Sequence, residues 1–449
     1  MKAVITPEEA SRLDEISQVP IAELMERAGR AVALEAARMG MGYGSHVAVL
    51  AGTGNNGGDA YVAARHLRRR GVGVTVHRLG PPKTDPAQAA AELARSEGVA
   101  ITSLGRSLPA DLVVDGLFGG GYRSGAPEAV ASWMSAGRTL AIDIPSGVDP
   151  SDGRVSGPAL VAERTVTFDY LKIGHVLGEG PDHCGEVVVS RIGLGDAEPA
   201  LFLAEVDDAP LPSRPRTAHK WSAGSVLVVG GARGMTGAAL LAGRAALQFG
   251  AGAVGLAVPD DTASLAASSA PELLHYPIDS LPDRFDTLVI GPGLGADHDE
   301  LARKAIESWE GTVVVDADAL GLASLSHRGR MIVTPHAGEF ERMTAEKASS
   351  VAAAALAREL GAVVVLKGNP TLVTDGGVPW VVDRGGPELA TIGTGDVLAG
   401  MIAALATAGL EPLAAARSAA YWHGEAGRRL AATTTVTARR LIGEIGRLR

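Results

Sequence analysis

The sequence predicts an α/β protein made of two three-layer αβα domains, residues 1–211 and 212–449. Three observations lead there. Short, continuously apolar runs alternate with helix-like stretches twice along the chain, the pattern of parallel strands covered on both faces. The 449 residues are too many for one typical core. Between the two alternations, Gly195 to Lys220 ("GDAEPALFLAEVDDAPLPSRPRTAHK") is irregular and Pro-rich, as a linker is.

The elements follow in order. Thr6 can cap a helix, Pro7 suits its first turn and Glu9 completes a capping box. Ile21, Leu24, Met25, Ala28 and Val32 continue one apolar face, and the helix stops near Gly40. "HVAVLAG", "GVTVHRL", "DLVVDGLFG" and "TLAIDIPSG" read as strands, separated by helical stretches such as Asp59 to Arg70 and Pro86 to Ser96. After the linker, "SVLVVGG", "GAVGLAVP", "DTLVIGPGLG", "TVVVDADAL", "RMIVTPH" and "AVVVLKG" read as strands. "TLVTDGGVPWVVD" predicts a hairpin around Asp375-Gly376-Gly377, and "DVLAGMIAALATAG" a buried helix.

Composition narrows the function classes. The chain has 58 Gly, where average usage of ~7% would give about 31. Excess Gly in an α/β chain marks tight strand-to-helix turns, where ligands sit. A net charge of -10 argues against nucleic-acid binding, and the Arg68-Arg69-Arg70 run suits a helix C-terminus. The lone Cys184 excludes an intrachain disulfide and lacks a nucleophile context. The N-terminus has no signal-peptide core, and no run of ~18 apolar residues would span a membrane. A cytoplasmic enzyme is expected.

In the first half, Gly52, Gly54 and Gly57 spell G-x-G-x-x-G between a strand and a helix, where amides and the helix dipole favour a phosphate. The acidic residue expected ~20 positions on is missing, since the next strand ends in His77-Arg78. The loop instead carries Asn55, Asn56 and Asp59. Asp115, before the glycine-rich Gly119 to Gly125, is a turn aspartate or a site residue. Asp143 and Ser146 end another strand, and a buried carboxylate there needs a partner or ligand.

In the second half no P-loop motif is present, which disfavours a P-loop NTPase. Gly393-Thr394-Gly395-Asp396 opens a helix, so its amides can meet a phosphate and Asp396 can act as base or as cap. Lys367 can be a nucleotide contact or a solvated strand end. His336 can be a ligand contact or a core histidine.

Taken together, "GTGNNGGDAYVAARHL", "VVDGLFGGG" and "AIDIPSGVDP" resemble the NAD(P)HX epimerase domain that begins bifunctional NAD(P)H-hydrate repair enzymes, a Rossmann-like fold. "GPGLG", "DADAL", "TPHAGE", "LKGNPT" and "GTGDVLAG" resemble, in order, the ribokinase-like ADP-dependent NAD(P)HX dehydratase domain. The first resemblance implies that Asn55, Asn56, Gly57, Gly58 and Asp59, with Gly119, Gly120, Gly121, Tyr122, Arg123, Ser124 and Gly125, hold a hydrated cofactor. It implies Asn56, Asp115 and Ser146 as potassium ligands and Asp143 as the proton-transfer group. The second implies Lys367, Gly368, Asn369, Pro370, Thr371 and Gly395 for the adenine nucleotide. It gives Ala238, Gly293, Gly295, His336 and Asp396 to the hydrated cofactor, with Asp396 catalytic.

By this resemblance the enzyme epimerises the R and S hydrates of NADH and NADPH and dehydrates the S form with ADP. Hydroxide is a poor leaving group; phosphorylating the ring hydroxyl first makes it a good one. Hydrated NADH or NADPH, ADP with Mg2+, and potassium are the expected small molecules. A homo-oligomer is expected, without nucleic acid or membrane. The alternative is a ribokinase-like small-molecule kinase fused to a cofactor-binding module.

Overall fold

The computed structural model describes residues 1–122, 128–135, 137–323 and 326–449. They form two compact units, Lys2–Leu201 and Phe202–Arg449, with Met1 grouped in the second. The division falls inside the Pro-rich segment.

Among the described residues the first unit has nine strands: β1 (Lys2–Ile5), β2 (His46–Ala51), β3 (Gly73–Arg78), β4 (Ala100–Ser103), β5 (Leu112–Gly116), β6 (Thr139–Ile142), β7 (Arg164–Phe168), β8 (Leu171–Lys172) and β9 (Glu186–Ser190). Seven form one parallel sheet in the order β4-β3-β2-β5-β6-β7-β9. β1 and β8 pair separately in parallel, Val4 opposite Leu171. Both sheet faces are buried, which is why the central strands read as unbroken apolar runs. Val47, Val49 and Ala51 face a core with Tyr61 and Leu67, while Ala48 and Leu50 face Trp133 on the other side.

The expected first helix is two, Pro7–Ile16 and Ile21–Arg38. Thr6 caps the first by accepting the Glu9 N–H at 3.0 Å. Pro20 breaks the run, because proline disfavours helical backbone in the residue before it. Helices Asn55–Arg69 and Asp85–Ser96 follow β2 and β3.

The second unit holds β10 (Leu201–Leu203), shared at the division, then β11 (Ser225–Val229), β12 (Ala253–Val258), β13 (Leu274–Pro277), β14 (Thr287–Ile290), β15 (Thr312–Val315), β16 (Arg330–Val333), β17 (Val363–Leu366), β18 (Thr371–Thr374) and β19 (Trp380–Val382). Their order is β13-β12-β11-β14-β15-β16-β17-β18-β19-β10. Pairing is parallel from β13 to β17 and antiparallel through β18 and β19, the expected hairpin. The buried helix Thr394–Thr407 lies so close to helix Thr236–Gln248 that a Cβ on Gly400 would meet Ala242 O at 2.1 Å.

Both sheets start at their centre and reverse direction once, between β2 and β5 and between β11 and β14. Ligands in such sheets bind beyond the strand C-termini at that switch point. The glycine-rich loops after β2, β5, β11 and β14 leave the sheets there.

Candidate functional site

In the first unit the loops after β2, β5 and β6 meet around a cavity of about 440 Å³. The three fingerprint glycines serve different ends. A Cβ on Gly52 would lie 1.9 Å from Leu117 O, and one on Gly57 would lie 2.1 Å from Gly52 O, so both are fixed by packing. Gly54 has open space around its Cβ position and lines the cavity, so its missing side chain leaves room for a ligand.

Asn55, Asn56, Asp59, Gly119, Gly120, Gly121, Tyr122 and Asp143 all line this cavity. Gly57 and Gly58 are buried in the helix that begins beside it. Arg123, Ser124 and Gly125 lie outside the described residues. Asp115 and Ser146 are fully buried and in contact: the Ser146 hydroxyl donates to Asp115 Oδ1 and its N–H to Oδ2, each at 2.7 Å. Phe118 N–H donates to Ser146 Oγ at 3.2 Å, while Asn56 Nδ2 donates to Phe118 O at 2.7 Å. The Phe118 peptide thus ties Asn56 to the Asp115–Ser146 pair.

Their surroundings move these carboxyl groups in different directions. Burial pushes Asp115 up to about 6, against three hydrogen bonds from Ser146 and Leu117. Asp59 goes well above the ordinary carboxylate range, through lost water first and then repulsion from Asp143 and Asp14. Burial would raise Asp143 too, but the charge and hydrogen bond of Lys172, with help from His175 and the Gly120 N–H, reverse it to a net lowering. One cavity therefore holds two carboxyl groups moved in opposite directions, Asp143 down beside Lys172 and Asp59 up through burial. Cys184 is buried and its thiol is pushed up to about 12, so it offers no thiolate.

In the second unit, Lys367 ends the strand region of β17 and its N–H donates to Pro335 O at 2.8 Å. This lays His336 and Lys367 side by side. Lys367 Nζ reaches Asp316 Oδ1 at 2.7 Å, and Asp316 also accepts from Thr334 Oγ1 at 2.6 Å. A Cβ on Gly395 would lie 3.5 Å from Lys367 Nζ, so the ammonium sits at the start of helix Thr394–Thr407. Gly393 (φ 89°) makes the turn into that helix. His423 Nε2 bonds Thr394 O at 2.9 Å and braces the turn.

Asp396, in the first turn of that helix, is pushed up to about 7. Burial is the main cause; Asp316 and Asp318 add repulsion, and Lys367 pulls the other way. Gly295 N–H donates to Asp318 Oδ2 at 3.0 Å, linking the loop after β14 to this charge set. Ala232 N–H donates to Gly293 O at 2.7 Å, and Ala238 lies in the first turn of helix Thr236–Gln248. His336 is no core histidine: its side chain is 53% exposed and caps its own helix by accepting the Glu339 N–H. Gly368, Asn369 and Pro370 form the loop to Thr371, whose hydroxyl donates to Gly368 O at 3.1 Å.

Sequence reasoning did not single out Lys172, His175 and Thr167 around Asp143, or Asp316, Thr334 and His423 around Lys367 and the GTGD turn. "DYLKIGH" did hold a signal, a lysine and a histidine three apart in apolar surroundings.

Among the described residues no helix is long and apolar enough to cross a membrane. Nor does any group of three or more His, Cys, Asp or Glu side chains form a metal cage.

Residues 226–447 match the family model described as NAD(P)H-hydrate dehydratase, and residues 21–174 match that of the YjeF-related protein N-terminus. A bifunctional NAD(P)H-hydrate repair enzyme from Moorella thermoacetica is 36% identical, covering 94% of this chain and 92% of its own. A namesake from Coxiella burnetii is 35% identical, covering 94% and 93%. An ADP/ATP-dependent NAD(P)H-hydrate dehydratase from Bacillus subtilis, co-crystallised with ATP/Mg2+, superposes with a TM-score of 0.51 at 30% identity, covering 54% of this chain and 94% of its own. A ribokinase-like protein from Enterococcus faecalis, 24% identical with a TM-score of 0.52, shares the fold over 56% of this chain and 95% of its own. The near-complete coverage, with both family models in order on one chain, means that this protein belongs to the bifunctional NAD(P)H-hydrate repair enzymes.

Proposed function

We propose that the chain restores NADH and NADPH from their hydrates, with the epimerase in residues 1–211 and the ADP-dependent dehydratase in residues 212–449. The observation that carries this is the near-full-length relationship to enzymes of that name, on a chain that has a polar cavity at the switch point of the first sheet and a base at a helix N-terminus in the second.

In the first unit the hydrated nicotinamide lies along Asn55 to Asp59 and Gly119 to Gly125. Asp143 takes the proton of the ring hydroxyl as the bond from the hydroxyl-bearing carbon to the ring nitrogen breaks and an aldehyde forms; the nitrogen then adds to the other face of that carbonyl, the proton returns to its oxygen, and the R and S forms interconvert. A potassium ion fits Asn56, Asp115 and Ser146: Asp115 is a buried carboxylate whose described partners are all neutral, and the set offers hard oxygen donors. When bound, the ion supplies positive charge near the substrate phosphates.

In the second unit Ala238, Gly293, Gly295 and His336 border the S hydrate, and Lys367 to Thr371 with Gly395 border the nucleotide. Asp396 takes the proton from the ring hydroxyl as that oxygen accepts the terminal phosphoryl group of ADP. AMP is released; phosphate then leaves with its bonding pair, the neighbouring ring carbon gives up a proton to solvent, and the ring double bond returns. The amides of the helix start, with Lys367, offset the charge that develops. Mg2+ bound together with the nucleotide would supply further positive charge for the phosphoryl transfer.

We place the enzyme in the cytoplasm, as a homo-oligomer that light scattering can size. Incubation with mixed hydrates and ADP should restore the near-ultraviolet absorbance of reduced nicotinamide. No recovery, with phosphorylation of an alcohol such as a thiazole or pyrimidine precursor, would favour a small-molecule kinase instead.

A further inference from the structure

Asp143 is held at every polar atom. Its backbone stands at φ 68°, a region side chains other than glycine rarely adopt. Its N–H donates to Val166 O at 2.7 Å, and its carbonyl accepts His175 Nε2 at 2.6 Å. His175 Nδ1 accepts the Lys172 N–H at 2.9 Å, so the ring carries its proton on Nε2.

The side chain is fixed as firmly. Oδ1 meets Lys172 Nζ at 2.7 Å and accepts the Thr167 hydroxyl at 3.1 Å. Oδ2 accepts the Gly120 N–H at 2.8 Å, on the cavity wall. Lys172 is only 5% exposed. Its other acceptors are Thr167 Oγ1 at 2.9 Å and Tyr170 O at 3.3 Å. An ammonium has three donors, and here three oxygens take them.

Resting on the reading of this cavity as the epimerase site, we infer that Lys172 is a positioning residue: by occupying Oδ1 of Asp143 it turns Oδ2 to the cavity as the atom that exchanges the proton. Lys172 itself has no donor left for the substrate. Charged and titratable groups face Asp143 from each side: Lys172 and His175 after β7, Asp59 on helix Asn55–Arg69 and Asp14 on helix Pro7–Ile16. Without the ammonium the three carboxyl groups would repel across one cavity, and Asp143 would hold its proton to higher pH.

The test measures kcat and KM for epimerisation against pH in the full chain, for wild type, Lys172→Gln and Lys172→Arg. The glutamine variant should lose about 100-fold in kcat, typical of a disabled acid–base step. Its KM should stay within about threefold, and the acidic limb of its profile should move up by about one pH unit. Arginine, which keeps the charge but cannot give up a proton, should recover about tenfold of the loss and return the limb. A loss confined to KM with an unmoved limb, or an arginine variant as inactive as the glutamine one, would overturn the inference. Near-ultraviolet circular dichroism checks the fold. Should the glutamine variant not fold, Thr167→Val removes the second Oδ1 contact without stranding a charge; a kcat loss of about tenfold supports the inference and an unchanged kcat overturns it. A wild type with no epimerisation would instead overturn the reading of the cavity.

Discussion

At the scale of residues, the two sites rest on carboxyl groups whose surroundings set their protonation. Asp396 is raised to about 7 by burial and by Asp316 and Asp318. Its base form is thus lost as pH falls below about 7, not below the ordinary carboxylate value. The dehydration rate should rise through neutrality to a plateau, and Asp396→Asn should remove about 100-fold or more of it. Lys367 pulls the Asp396 value down, so Lys367→Met should shift this rise to higher pH, read from the rate profile at saturating ADP. In the other unit, Ser146→Ala should raise the potassium concentration for half-maximal epimerisation by about tenfold. Dehydration of the S hydrate in the same variant should stay near the wild-type rate. Asp115, Asp143 and Asp396 stood out in the sequence because each sits in a compact motif at a strand end or helix start. Lys172 and His423 did not. Lys172 meets Asp143 only after the chain has run through β7, and His423 meets Thr394 O from the following helix, Pro412–Ala431; neither stands in a glycine-rich turn that would draw the eye.

The elements show the same contrast. Strands buried on both faces, such as β2 and β14, were plain as unbroken apolar runs. β7 was not: its Thr165 and Thr167 interrupt the apolar pattern, yet both are fully buried, with hydroxyls satisfied by Cys184 O and by the Asp143 cluster. The short edge strands β4 and β13 carry exposed residues and gave no signal. Close approach of elements is also a matter of glycine. Because a Cβ on Gly400 would meet Ala242 O at 2.1 Å, Gly400→Ala should push apart the two central helices of the second unit. The expected cost is about 1–3 kcal/mol, measured as a lower denaturant midpoint. Part of the dehydration rate should go with it, since one of these helices begins at the GTGD turn.

For the whole molecule, two sites on one chain suit a substrate pair that interconverts. A dehydratase restricted to the S epimer strands the R epimer, and an epimerase removes that trap. The units form separate cores, so the chemistry of each should survive loss of the other. Asp143→Asn should leave dehydration of pure S hydrate near the wild-type rate while slowing use of the R hydrate to its spontaneous rate. The most direct test gives the Asp396→Asn protein pure R hydrate with ADP and potassium and resolves both epimers and reduced cofactor by chromatography. Fast appearance of the S hydrate with almost no NADH is the expected result. Rapid formation of NADH, or no S hydrate above the spontaneous background, would contradict it.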